Sequence, residues 1–304
     1  MKVLNISLMA GNNGFTKSFK SKGSEYRELK PSTNRHFNTQ AIEMCKSMTP
    51  DLVFIQIQTP NIIHESTVKE FKRLGAFVIN FTGDVRSPIP QWYYDIGKHI
   101  DLTLFSNMTD VLKLREDGLS AEYLEIGYDP EIYKPKGTII KTPEVVFFGN
   151  NYDDRFPLSG YRKDMVNFLK STYGSNFGLY GNGWSNANGS FNHSQEIEAR
   201  AYRGCKIAVN LSHFDYERYN SDRILRIMGS GAMCLTKTYK GIKQDYSIGV
   251  NLAAWDNFDE LKDNIDFYLE NNDERIEVAK KGNDLVKDTF TFDSMIDNLL
   301  KFVV

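Results

Sequence analysis

The chain contains no run of about 18 consecutive apolar residues, so a membrane-spanning helix is not expected. Its opening, Met1-Lys-Val-Leu-Asn-Ile-Ser-Leu8, is too short and too strand-like for a secretory leader. Cysteine is scarce: Cys45, Cys205 and Cys234 are odd in number and lack metal-ligand spacing. That argues against a disulfide framework and fits a reducing, cytoplasmic setting. The five histidines are scattered, so no metal site is expected. Charge of one sign is lacking too, with 37 Lys and Arg against 39 Asp and Glu and a net charge of −2. Most strong DNA binders are far more basic. There is no GxGxxG fingerprint, no internal repeat and no low-complexity segment.

What is present is ordinary in bulk and ordered in detail. A 41% apolar and 25% charged composition is that of a soluble globular protein, and 304 residues suffice for two domains. Two series of apolar strands alternate with helices. The first runs from Val3–Leu8 through a helix at Phe37–Ser47 capped by Asn38, then strands at 52–57, 76–81, 102–105 and 121–124 with helices between. The stretch Glu125-Ile-Gly-Tyr-Asp-Pro-Glu-Ile-Tyr-Lys-Pro-Lys-Gly137 breaks the rhythm and reads as a linker or hinge. A second series follows, with strands at 145–148, 177–180, 207–211, 232–235 and 252–255 and a helical tail to Val304. Strands that are apolar throughout and joined by helical crossovers imply parallel sheets covered on both faces. The expected fold class is therefore α/β, with two doubly wound Rossmann-like domains facing across a cleft. The expected domains are 1–135, 136–290, and a C-terminal helix at 291–304 packing back on the first domain.

The most informative stretch is Tyr219-Asn-Ser-Asp-Arg-Ile-Leu-Arg-Ile-Met-Gly-Ser-Gly-Ala-Met-Cys-Leu-Thr236. It reads as a polar loop with Asn220, a short helix capped by Ser221 or Asp222, a stop at Gly229 and Gly231, and a buried strand. A helix start aimed out of a parallel sheet suits an anion, and Arg223 on its first turn suits a diphosphate. Arg226, one turn on, either joins it at phosphate or braces the helix.

Other strand ends supply further candidates. After residue 148 come Gly149 and Asn150, where a glycine either admits a phosphate to the backbone or is an ordinary strand end. Tyr180, Gly181, Asn182 and Trp184 repeat that design, with Trp184 either lining a base pocket or packing in the core. Ser212 and His213 end the next strand. In the first half, Asp84 follows an apolar strand and is either a general base or a turn residue. Gly11, Asn12 and Asn13 follow the first strand. Gln58 and Thr59 offer uncharged groups suited to sugar hydroxyls. Lys17, Lys20, Lys22, Arg27, Lys30 and Arg35 against Glu25 and Glu28 give +6 − 2 = +4 in one expected loop. Such a cluster is either a solvated surface or a contact for nucleic acid.

Residues 207–294 resemble the carboxyl-terminal domain of GT-B glycosyltransferases, in the group-1 branch with spore-maturation-like and phage-encoded members. The residues that carry this are Asn220-Ser-Asp-Arg223, Met228-Gly-Ser-Gly-Ala232, Ala279-Lys-Lys-Gly282 and Phe290-Thr-Phe292. Weaker likeness extends to Asp101–Ser106, Leu124–Asp129 and Tyr133-Lys-Pro135. The resemblance implies metal-independent transfer of a sugar from a nucleotide-diphosphate donor, with no cofactor beyond that co-substrate. It implies that Arg223 compensates the leaving diphosphate. It admits modified phage DNA among acceptors, reached through the basic 17–35 segment. Where relatives carry two carboxylates eight residues apart, this chain has Arg218 and Arg226, which cannot accept hydrogen bonds from ribose hydroxyls. That departure leaves open a second function class, a nucleotide-sugar binding protein without turnover.

Overall fold

The computed structural model describes residues 1–190 and 194–303. The chain divides into two compact units, residues 1–127 with the helix beginning at Phe292, and Tyr128–Thr291. No helix among the described residues is long and apolar enough to cross a membrane.

The first unit contains β1 (Lys2–Ser7), α1 (Gly14–Lys22), β2 (Glu25–Leu29), α2 (Phe37–Met48), β3 (Leu52–Gln56), α3 (Glu65–Arg73), β4 (Phe77–Thr82), α4 (Gln91–Gly97), β5 (Leu102–Phe105), α5 (Met108–Glu116) and β6 (Ala121–Tyr123). The strands form one parallel sheet in the order β2-β1-β3-β4-β5-β6. Strand periodicity sorts the core. Val53 and Ile55 join Phe37, Ala41, Val68 and Phe71 on one face, and Leu52 and Phe54 join Phe15 and Phe19 on the other.

The second unit contains β7 (Val145–Phe148), α6 (Ser159–Tyr173), β8 (Phe177–Tyr180), α7 (Gln195–Tyr202), β9 (Ile207–Asn210), α8 (Arg223–Gly229), β10 (Met233–Lys237), α9 (Ile242–Asp245), β11 (Ala253–Trp255), α10 (Phe258–Glu270) and α11 (Asn272–Thr289). Its parallel sheet runs β11-β10-β9-β7-β8. Both sheets are doubly wound, with strand order reversing between β1 and β3 in one and between β7 and β9 in the other. The last helix, α12 (Phe292–Leu300), returns to the first unit, where Met295, Ile296 and Leu299 pack with Phe15 and Phe54. It ends at Leu300 rather than running on as the sequence suggests, and Val304 lies outside the described residues.

Two readings are corrected. Residues 17–35 are not one loop: they supply the end of α1 and the edge strand β2. Glu-Tyr-Arg-Glu-Leu has no apolar run because an edge strand is only half-buried. Asn38 does not cap α2. Its side chain accepts from the His64 amide at 3.0 Å and the Thr67 hydroxyl at 2.8 Å, fixing the turn into α3. The Glu125–Gly137 stretch carries the change from the first unit to the second, after Gly127, and is well anchored: Tyr128 and Tyr133 are buried and the Arg203 guanidinium donates to the carbonyls of Ile132, Lys134 and Thr138.

Near the C-terminal end of α8, the Asn283 amide donates to the carbonyls of Met228 and Gly229 at 3.0 and 2.8 Å, anchoring that helix on α11. Beside it, a Cβ on Gly282 would overlap the Asn251 carbonyl oxygen and approach the Met228 sulfur at 3.2 Å. Alanine in mid-helix gains about 1 kcal/mol of propensity, but overpacking against backbone costs about 1–3 kcal/mol. Gly282→Ala is therefore expected to lower stability, as a reduced urea midpoint; an increase would show that this contact yields.

Candidate functional site

In an open parallel sheet, ligands gather beyond the carboxyl ends of the strands where the order reverses. In the second unit that point lies between β7 and β9, and two arginines converge there. Arg162, on the first turn of α6, is 2% exposed. Its Nη1 donates to the Asn150 carbonyl at 3.2 Å and its Nη2 to the Leu211 carbonyl. Arg223, at the start of α8, donates through Nη1 to Asn210 Oδ1 at 2.9 Å and to the same Leu211 carbonyl at 3.4 Å. Both guanidiniums lie over the Phe147 ring, at 5.3 and 5.6 Å from its centroid. Among the described residues, neither forms an ion pair with a carboxylate. Burial, then the charge of Arg223, pushes the Arg162 pKa well below its ordinary value.

His213 completes the cluster. Its ring packs on Tyr152 at 5.2 Å and Phe156 at 4.8 Å, and both ring nitrogens are buried without a protein partner. Burial first, then Arg162 and Arg223, push its pKa down to about 3. The imidazole is therefore neutral at physiological pH and can still donate one hydrogen bond. Arg162 is buried and Arg223 and His213 half-buried, and together they present donors without a directly paired acid, a chemistry that suits an anion. Sequence reasoning offered His213 only as a strand-end candidate and missed Arg162, whose only local signal is a basic residue on the first turn of a helix.

The helix start itself offers less than its sequence suggests. The amide of Ile224 is bonded to the Ser221 carbonyl, and those of Leu225 and Arg226 to the Asp222 carbonyl. The Arg223 amide reaches Ser221 Oγ at 3.4 Å, while Asp222 makes no side-chain cap. The cationic side chain, rather than the helix amides, is what faces an anion. Gly229 is the last helical residue rather than a stop; a Cβ there would come within 2.5 Å of the Tyr128 ring. Arg226 is a brace. It pairs with Glu198 at 2.7 Å and with Asp222, and Glu198 also accepts from Tyr133 at 2.7 Å and Tyr202 at 3.1 Å. Burial works against its charge, but the two carboxylates overcome this and raise its pKa well above the ordinary value. Arg218 is likewise paired, with Asp245 at 2.6 Å.

The glycine-bearing loops after β7 and β8 are lashed to each other. Gly149 N–H donates to the Tyr180 carbonyl at 2.8 Å, Asn151 N–H to the Asn182 carbonyl at 2.9 Å, and Asn182 N–H to Asn150 Oδ1 at 2.9 Å. Trp184 Nε1 donates to the Gly149 carbonyl at 2.7 Å. Gly181, at φ +142°, sits so close to the Gly149 carbonyl that a Cβ would overlap it. The Gly149, Asn151, Gly181 and Asn182 amides are thus occupied, which ties the two loops together beside the cluster. Ser212 lines a small cavity with Asn210, Tyr219, Thr238 and Tyr239, and Asn220 holds its wall by donating to the Tyr239 hydroxyl at 3.3 Å.

In the first unit, the Asp84 carboxylate is 57% exposed and 3.9 Å from Arg86. Asn13 caps α1 by accepting from Thr16 N–H at 2.9 Å, and Gly11 N–H donates to Glu28 at 3.2 Å, so both serve the β1–α1 turn; Asn12 is exposed. Gln58 is half-buried, and Thr59 lines an open cavity beyond β3. Among the described residues, no group of three or more His, Cys, Asp or Glu side chains is placed to hold a metal ion.

Residues 162–301 match the family model described as glycosyl transferase-like, less than half of the chain. No curated protein matches the sequence. Among solved structures, the chain is similar to Anabaena Alr3699/HepE in complex with UDP, with a TM-score of 0.67, 11% identity and coverage of 99% of each chain. The same protein in complex with UDP-glucose gives a TM-score of 0.66 at 10% identity, covering 99% of this chain and 98% of that one. Sucrose-phosphate synthase from Thermosynechococcus elongatus gives 0.64 at 9% identity, with coverage of 99% and 98%. The fold is thus the GT-B architecture of glycosyltransferases, two Rossmann-like units each built on a parallel sheet.

The depressed His213 pKa has a consequence for acid stability. Between its ordinary value of 6.5 and about 3, the unfolded chain binds a proton that the folded site refuses. Stability therefore falls as pH drops through this window. His213→Asn is expected to flatten that part of the Tm-against-pH profile; an unchanged slope would remove His213 from the account.

Proposed function

We propose that this chain is a glycosyltransferase that takes a sugar from a nucleotide diphosphate, with Arg162 and Arg223 holding the diphosphate. The carrying observation is the pair of guanidiniums converging on the Leu211 carbonyl without a carboxylate partner. Like charges held together, one buried and one half-buried, are poorly compensated by neutral acceptors and gain most from a polyanion. As the bond from the anomeric carbon to the diphosphate oxygen breaks, its electron pair moves onto the diphosphate, where fixed cations stabilise it without reorganisation. No cofactor beyond the nucleotide sugar is needed for this step. The Anabaena relative's complexes with UDP and UDP-glucose make a UDP-sugar the first donor to test.

On the acceptor side, Asp84 takes the proton from the attacking hydroxyl as the new bond to the anomeric carbon forms. Gly11, Asn12, Asn13, Gln58 and Thr59 sit on the loops leaving β1 and β3 in the same unit. A DNA acceptor gains no support from the basic 17–35 segment: Lys22 pairs with Asp297 at 2.7 Å, Arg27 pairs with Glu25 at 3.0 Å, and Lys20 lies over the Tyr26 ring. Placement in the spore-maturation-like, phage-encoded branch rests on the sequence motifs alone.

Titration calorimetry with UDP and UDP-glucose tests the donor site. Arg223→Ala is expected to weaken UDP about 10–100-fold, the worth of a charged hydrogen bond; unaltered affinity would overturn the assignment. Asp84→Asn is expected to cut turnover about 10²–10⁴-fold at unchanged UDP affinity. UDP-sugar binding with neither hydrolysis nor transfer across a broad acceptor panel would instead identify a binding protein.

A further inference from the structure

The strand order of the first unit also reverses, between β1 and β3, and beyond β3 the structure carries a preformed cavity of about 340 Å³, within the range of small-molecule pockets. It lies between the chain leaving β3, the first turn of α3 and the helix α4. Its apolar lining is Ile57, Ile63 and Ile96, with the half-buried Trp92 braced by the Tyr93 ring at 3.9 Å between centroids. Its polar lining is Thr59, Asn61, His64, Glu65, Ser66 and Asp95. The loop is held open by Asn38, which donates to the Ile62 carbonyl at 3.0 Å while accepting from the His64 amide.

The composition selects the ligand. An indole with aliphatic neighbours offers a flat apolar surface, while two carboxylates offer acceptors only. A pyranose is the complement of both, with a C–H face and a rim of O–H donors. A phosphate or nucleotide would meet Glu65 and Asp95 as like charges. Lys69 and His99 bind Glu65 at 3.3 and 3.1 Å, and Gln91 donates to Asp95 at 3.1 Å, so both carboxylates are held in place with lone pairs to spare.

We infer that this cavity is a binding site for an uncharged saccharide, which makes the acceptor in the proposed transfer a neutral sugar rather than nucleic acid. The acceptor role rests on the glycosyltransferase reading; binding itself does not.

The full-length protein is titrated with glucose, galactose, mannose, maltose, sucrose and lactose. Saturation-transfer NMR and calorimetry provide the readouts, with spermidine as the cationic comparison. At least one neutral sugar is expected to bind saturably, with affinity reduced at least about tenfold, or 1.4 kcal/mol, in Trp92→Ala and in Asp95→Asn. Asp95 lies at the pocket edge, so its conservative change keeps the test valid if the tryptophan variant misfolds. UDP affinity is expected to stay within twofold in both. Failure of every neutral sugar, preference for spermidine, or indifference to Asp95→Asn would overturn the inference. Sugar binding without UDP binding would instead overturn the donor assignment and leave this site standing.

Discussion

Two guanidiniums brought to one backbone carbonyl set the character of the second unit. Arg162 and Arg223 satisfy part of their hydrogen bonding at Leu211, Asn150 and Asn210, but those neutral acceptors leave the charges uncancelled. Concentrating like charge at a buried sheet end costs stability, and much of the surrounding structure holds it there. The locked loops after β7 and β8 supply the Asn150 carbonyl and fix Gly149 beneath it. The Phe147 ring lies under both guanidiniums, and Tyr152 and Phe156 pack on the His213 ring.

The helix α8 shows how neighbours, rather than residue type, assign roles. Arg223 and Arg226 lie three positions apart and near one face. Arg223 reaches the sheet end and meets only neutral acceptors. Arg226 reaches α7 and meets Glu198, with Asp222 closing the pair from its own helix. Breaking this part-buried pair would strand the remaining charges, at a cost below the roughly 3–5 kcal/mol of a fully buried one. Arg226 thus fixes the helix start from which Arg223 projects. With Asn283 holding the far end of the helix, Arg223 is positioned from both sides.

The first unit distributes charge differently. Its basic residues at α1 and β2 are partly neutralised by local acids and an aromatic ring, whereas the carboxylates Glu65 and Asp95 line a cavity with an apolar floor. A local sum of +4 along the sequence therefore overstates the attraction for a polyanion, because it omits Asp297, which lies far along the chain and adjoins Lys22 only in the fold.

The sequence by itself determined the alternation of strands and helices, the parallel sheets and the place of Arg223 at a helix start beyond a strand end. Those features are written in short-range periodicity and in residues contiguous along the chain. It missed β2, whose half-buried edge lacks an apolar run, and it left the Gly149 loop open between a phosphate contact and an ordinary strand end because it could not see the hydrogen bonds that tie it to the loop after β8. Only the tertiary structure decided that Arg162, 61 residues before Arg223, shares its carbonyl, that His213 sits neutral beside them, and that Arg226 belongs to Glu198. Charge compensation and hydrogen-bond satisfaction depend on distance through space, and that distance is set by how β7, β9 and the helices between them stack.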